Sequence, residues 1–80
     1  MKLSIYSLKN ILFQGEASSF NCQTIMGEIT VLDHHEALIS VLSAGVIKLI
    51  DKDKKEQFFP INSGFLEVKP DNEVRCIVEQ

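Results

Sequence analysis

The apolar residues of this chain fall in short alternating runs, and turn-forming residues interrupt them roughly every 8–12 positions. A period of two sends successive side chains to opposite faces of an extended strand. A helix instead needs apolar residues three and four apart, sustained over a longer stretch. The pattern therefore predicts an all-β fold, a small β-sandwich of about eight to ten short strands.

The runs can be placed along the chain. Lys2 to Leu8 is the first predicted strand, with Leu3 and Ile5 on one face. Ile11 to Gln14 and Phe20 to Ile25 follow as separate strands, divided by Gly15-Glu16-Ala17-Ser18-Ser19. Glu28 to Leu32 puts Ile29 and Val31 on one side, and Asp33 to Glu36 reads as a loop. Ala37 to Leu42 and Val46 to Asp51 flank Ser43-Ala44-Gly45, a short hairpin connection by its residues. Asp33 to Leu42 has some helical spacing in Leu38, Ile39 and Leu42, but the run is short and β-branched residues follow it. Asp51 to Glu56 is a charged turn. Pro60 lacks a backbone donor, so Gln57 to Ile61 belongs at a sheet edge or strand end. Gly64 to Lys69 and Glu73 to Glu79 flank the turn residues Pro70-Asp71-Asn72. Leu66 and Val68 share a face, as do Val74, Cys76 and Val78, with Arg75 and Glu79 opposite.

A chain of 80 residues makes a single domain, residues 1–80. Eight basic against eleven acidic residues give a net charge of −3, so there is no electrostatic reason to expect nucleic-acid binding. No apolar run approaches the roughly 20 residues that span a bilayer, so no membrane insertion is expected. Met1-Lys2-Leu3-Ser4-Ile5 starts directly as a strand pattern, and no signal or transit peptide is expected. Cys22 and Cys76 are isolated and are read as buried thiols in a reducing compartment rather than a disulfide.

Catalytic motifs are missing: there is no glycine-rich phosphate loop, nucleophile elbow or HExxH spacing. No cofactor is predicted. His34-His35-Glu36 is the one tempting cluster. Adjacent histidines on a strand point to opposite faces and chelate one ion poorly; in a loop they would still need a third ligand. The cluster leaves open a stand-alone β-barrel holding a metal or small molecule near His34, His35 and Glu36. A triad of Ser40, His35 and Asp33 has no support beyond residue type. Phe13, Phe20, Phe58, Phe59 and Phe65 are read chiefly as core, and Gly27, Gly45 and Gly64 as positions of positive φ or close strand approach. Several strands carry apolar residues on both faces, Val46 and Ile50 against Ile47 and Leu49, and Phe58 against Phe59. One face lines a core. The other needs a partner, a closed barrel or a covering loop.

The stretch from Gly27 to Gly45 resembles the epsilon subunit of F-type ATP synthase, which reads Gly-Glu at its start, has a loop His before an apolar strand, and ends in Gly with the same spacing. Gly64-Phe65-Leu66-Glu67-Val68 to Asn72 is similar to a second family segment, Leu3 to Ser7 to its first strand, and Phe13-Gln14-Gly15 to the segment after its first turn. The departures lie at Asp33-His34-His35, at Glu36-Ala37 and at Ala44, where the family usually has Pro-Gly-His, Ala-Pro and Pro.

The resemblance implies a non-catalytic central-stalk subunit that joins the gamma subunit to the membrane rotor ring of c subunits and couples ion flow to ATP synthesis. It implies a peripheral location on the cytoplasmic face of a bacterial inner membrane, within the complex. Family members usually continue into a C-terminal helical hairpin; this chain stops at Gln80, so regulation by such a hairpin is not expected. By position, Glu28 and His35 match the family's Glu after Gly and its loop His. Both are expected at the sandwich end that faces the ring, with Asp33, His34 and Glu36 forming the contact loop.

Overall fold

Eight strands and no helix make up the computed structural model, which describes residues 1–80. The strands are β1 (Lys2–Tyr6), β2 (Ile11–Thr24), β3 (Gly27–Leu32), β4 (Leu38–Leu42), β5 (Gly45–Asp51), β6 (Glu56–Ile61), β7 (Ser63–Lys69) and β8 (Glu73–Glu79). The stretch that could have passed for a helix is the loop before β4 and β4 itself. With no helix present, none is long and apolar enough to cross a membrane.

One hydrogen-bonded sheet bends into two layers. Strands β1, β8, β7 and β4 form one layer, with β1 and β8 parallel and the other neighbours antiparallel. Strands β3, β2, β5 and β6 form the other. Strand β2 serves both. Its first half pairs with β1, Leu3 opposite Gly15 and Ile5 opposite Phe13, and its second half lies between β3 and β5.

This corrects the division at Gly15 to Ser19: these residues continue one 14-residue strand. The polar stretch is where β2 changes partners, with Ala17 turned inward and a register irregularity between Ala17 and Ser19. The bend that such irregularities introduce carries the strand from one layer to the other.

The hairpin expected at Ser43-Ala44-Gly45 is also corrected. Strands β4 and β5 do not pair; β4 pairs with β7 and, at Leu42 opposite Thr24, with β2, and β5 pairs with β2 and β6. The three residues form a corner between layers, tied by the Ser43 N–H donating to the Gln23 carbonyl at 3.0 Å.

Inward side chains of both layers meet in one core. Leu3, Ile5, Phe20, Cys22, Val31, Leu42, Ile47, Leu49, Leu66, Val74 and Cys76 are its most fully buried members. Leu3 with Ile5, and Val74, Cys76 and Val78, share inward faces as their period-two spacing predicts. Among the phenylalanines only Phe20 is fully buried; Phe13 and Phe59 are half-buried against the core, and Phe58 and Phe65 face solvent, which corrects their reading as core. Pro60 lies on β6, which pairs only with β5 and is a sheet edge, as expected.

Turn chemistry fixes the ends. Gly27 has φ +117° and closes the β2–β3 turn, where Thr24 Oγ1 donates to the Gly27 carbonyl at 2.8 Å and accepts from the Met26 N–H at 3.0 Å. Gly64 serves close approach instead: a Cβ there would lie 2.6 Å from the Ile77 carbonyl oxygen.

Candidate functional site

The two outer faces of the sandwich differ in character. On the β4–β7–β8–β1 layer, register places Val41 opposite Phe65, Phe65 opposite Ile77, Ile77 beside Tyr6, and Tyr6 opposite Ile11 of β2. Paired residues share a face, so these five form an apolar row across the strands. At strand spacings of about 4.8 Å the row is roughly 19 Å wide. Phe65 is 61% exposed, Ile11 60% and Ile77 49%. Ile39, 78% exposed, extends the patch one row along β4. A shallow hollow lined by Leu8, Val41, Gly64, Phe65, Ile77 and Val78 lies at its end.

The outer face of the other layer is mixed. Its central row runs Thr30, Asn21, Lys48, Phe58, and the next runs Leu32, Ser19, Ile50, Glu56. Asn21 Nδ2 donates to Thr30 Oγ1 at 2.8 Å, and Lys48 pairs with Glu56 at 3.0 Å. Phe58 and Val46 are exposed there, but polar side chains separate them from Leu32. A contiguous exposed apolar patch marks an interaction surface, whereas scattered apolar residues do not. The contiguous exposed apolar patch therefore lies on the β4–β7–β8–β1 face. The periodicity showed that both faces carry apolar residues; only the register shows which set lines up.

The residues singled out for polar contacts do not share one end. Glu28 stands at the start of β3, opposite Gln23 and beside the exposed turn residues Ile25 and Met26. His35 lies beyond the other end of β3, its N–H donating to the Leu32 carbonyl at 3.1 Å. About 13 Å of strand separates Glu28 from Leu32. The expectation that Glu28 and His35 lie together is thus corrected: β3 runs the height of the layer between them.

At the His35 end, Asp33 to Glu36 form an ordered turn. His34 takes φ +61°, and its N–H donates to Asn72 Oδ1 at 2.7 Å. Asn72 Nδ2 donates to Asp33 Oδ1 at 3.4 Å. The Met1 ammonium donates to Asp33 and, at 2.9 Å, to the Ala17 carbonyl. The hydrogen bond from this ammonium, helped by Asn72, holds the Asp33 carboxyl below its usual range. The turn is thereby tied to the β7–β8 turn and to the start of β1. His35 Nδ1 donates to the Glu36 carbonyl at 2.8 Å, and Glu36 is exposed.

No three His, Cys, Asp or Glu side chains stand together as a metal-ligand group, so the metal-site reading of His34, His35 and Glu36 finds no ligand set. Ser40, His35 and Asp33 do not engage one another either: Ser40 Oγ donates to the Val41 carbonyl, and the other two have the partners just given. Cys22 and Cys76 are both free and fully buried, and burial pushes their thiols up to about 12. They are inert core residues, as read from the sequence.

A family sequence model described as "ATP synthase, Delta/Epsilon chain, beta-sandwich domain" matches residues 1–80. The ATP synthase epsilon chain of Hydrogenovibrio crunogenus is 37% identical over 70 residues, covering 88% of this chain and 48% of that protein. The chain thus spans about half the length of this curated relative. Its fold is that of a chain in the Euglena gracilis mitochondrial ATP synthase OSCP/F1/c-ring assembly, with TM-score 0.93 and 21% identity over all of this chain and 51% of that one. A chain in the Tetrahymena thermophila mitochondrial ATP synthase central stalk and c-ring gives TM-score 0.85 at 19% identity, over all of this chain and 63% of that one.

Proposed function

The chain belongs to the delta/epsilon-chain β-sandwich family of ATP synthases, and we propose from that premise that it is a non-catalytic central-stalk subunit clamping a gamma-type subunit to the rotor ring of c subunits. In this role it couples ion flow to ATP synthesis, peripherally at the cytoplasmic face of a bacterial inner membrane. The observation that carries the reading is the apolar row Val41, Phe65, Ile77, Tyr6 and Ile11 on one outer face of a rigid sandwich. A stalk joint transmits torque, so it needs a stiff body and a broad hydrophobic contact. The gamma-type subunit is the proposed occupant of this face.

Polar contacts at the two ends set register. Glu28 pairs with a basic residue of a ring loop, and His35, with Asp33, His34 and Glu36, forms a second polar contact at the other end of β3. An exposed ion pair contributes only about 0–1 kcal/mol. Affinity therefore rests on the apolar face, and the polar ends choose the orientation. Replacing Glu28 and His35 together by Ala and measuring ring assembly and ion-coupled ATP synthesis tests the polar assignment. Loss of coupling supports it, and unchanged coupling rejects it.

A further inference from the structure

At the centre of the β4–β7–β8–β1 layer, cross-strand pairs set apolar against apolar and acid against base. On the outer side Phe65 stands opposite Ile77, Glu67 opposite Arg75, and Lys69 opposite Glu73. Lys69 and Glu73 already pair at 3.7 Å, whereas Glu67 and Arg75 take no part in any ion pair of the chain. Such a face is complementary to itself. A two-fold axis running between β7 and β8, parallel to them, lays β7 of each copy over β8 of the other. Phe65 then meets Ile77, Glu67 meets Arg75 and Lys69 meets Glu73, each twice. Farther from the axis β4 lies over β1, and Val41 covers Tyr6. Sheets packed face to face keep their strands within about 30° of each other, so the rows nearest the axis hold this register. The other outer face lacks the property. There β5 and β6 set Lys48 against Phe58 and Ile50 against Glu56, so the same operation puts charges on apolar groups.

We propose that this face is a two-fold interface between two copies of the chain, formed before a gamma-type subunit takes it; that order rests on the reading that gamma occupies the same row. Four strands of seven residues give a footprint of roughly 19 by 23 Å, about 440 Å² in projection. Stable interfaces take about 800 Å² of accessible surface from each partner. The pairing is therefore weak and exchanging. It shields Phe65 and Ile77 in the free chain and yields when gamma binds.

Sedimentation equilibrium of the purified chain tests the pairing. A monomer–dimer equilibrium is expected between about 10 µM and about 1 mM. Arg75→Glu sets acid against acid twice per dimer and weakens association by about tenfold or more, and Glu67→Arg does the same with bases. The double swap, Glu67→Arg with Arg75→Glu, regains parent-like association, which general stickiness of the apolar row does not predict. In a mixture of isotope-labelled and unlabelled parent, NOEs are expected between the Phe65 ring of one copy and the Ile77 methyls of the other. A parent that stays monomeric throughout this range overturns the proposal. So does a dimer without those NOEs, even if a swap variant does not fold, or one that the single swaps leave unchanged. Adding a gamma-type subunit is expected to split the dimer into one-to-one complexes, and gamma bound to an intact dimer overturns the shared face. A dimer that captures no gamma leaves the pairing standing and overturns the stalk reading. Capture by a chain that never dimerises does the reverse.

Discussion

Val41 and Phe65 stand directly opposite each other on β4 and β7, and both turn outward, 40% and 61% exposed, above a layer whose inner face is closed by Leu42, Leu66 and Val68. The same two strands thus bury apolar side chains on one face and display them on the other. Stability of the isolated domain needs only the inner set. The outer set is free to serve a partner, so the two sets respond differently to substitution.

Core substitutions are severe. Phe20 is fully buried, and Phe20→Ala costs about 3–5 kcal/mol. A chain this small has roughly 4–12 kcal/mol of stability to lose, at ~0.05–0.15 kcal/mol per residue. Urea unfolding followed by circular dichroism is expected to show a large drop in midpoint or an already unfolded chain, whereas Phe58→Ala on the outer face shifts it little.

Gly64 is required by packing rather than by φ. Its missing Cβ is the space that the Ile77 carbonyl and Val78 occupy. Gly64→Ala is expected to destabilise by about 1–3 kcal/mol, as overpacking does. The urea midpoint measures it, and a parent-like midpoint rejects the close approach of β7 and β8.

Acid stability has two named contributors. The Lys55 N–H, the Gln57 side chain and the Asp53 N–H all donate to the Asp51 carboxyl and hold it below its usual range, and Asp33 is held down by the amino terminus. A carboxyl depressed in the folded state adds stability that is complete above its unfolded value near ~3.9 and is lost as pH falls through the lower folded value. The parent is therefore expected to lose urea resistance as pH drops below about 4. Asp51→Asn lowers stability at neutral pH and flattens that acid limb.

The thiols report on global opening. Cys22 and Cys76 are fully buried and raised to about 12, so a thiol reagent at mildly alkaline pH labels neither in the folded chain. Labelling is expected to follow the urea transition. Rapid labelling of the native chain contradicts the core assignment.

The strands were legible in the sequence because each inward set, such as Leu66 with Val68 or Val74 with Cys76 and Val78, keeps a strict period of two. The continuity of β2 was not. Gly15 to Ser19 are small or polar because the strand changes layers there, and the same residues would terminate an ordinary strand. Ser43 to Gly45 misled for a related reason: a corner between layers uses the same small residues as a hairpin. The apolar patch was half legible. Alternation showed apolar residues on both faces of strands such as β5 and β6, but Phe65 was read as core, and its alignment into one row with Val41, Ile77, Tyr6 and Ile11 depends on non-local register, including the parallel pairing of β1 with β8. Glu28 and His35 are close in sequence, and a fully extended β3 places them at opposite ends, which only the intact strand reveals.

Capture of a gamma-type subunit by purified chain tests the central account most directly, with Phe65→Glu compared against Phe58→Glu. Both positions are exposed and lie on opposite outer faces, so neither charge disturbs the core. The account predicts that Phe65→Glu folds normally and loses capture by tenfold or more, about the 1.4 kcal/mol or greater expected when an interface anchor becomes a buried charge, while Phe58→Glu captures as the parent does. Parent-like capture by Phe65→Glu contradicts it.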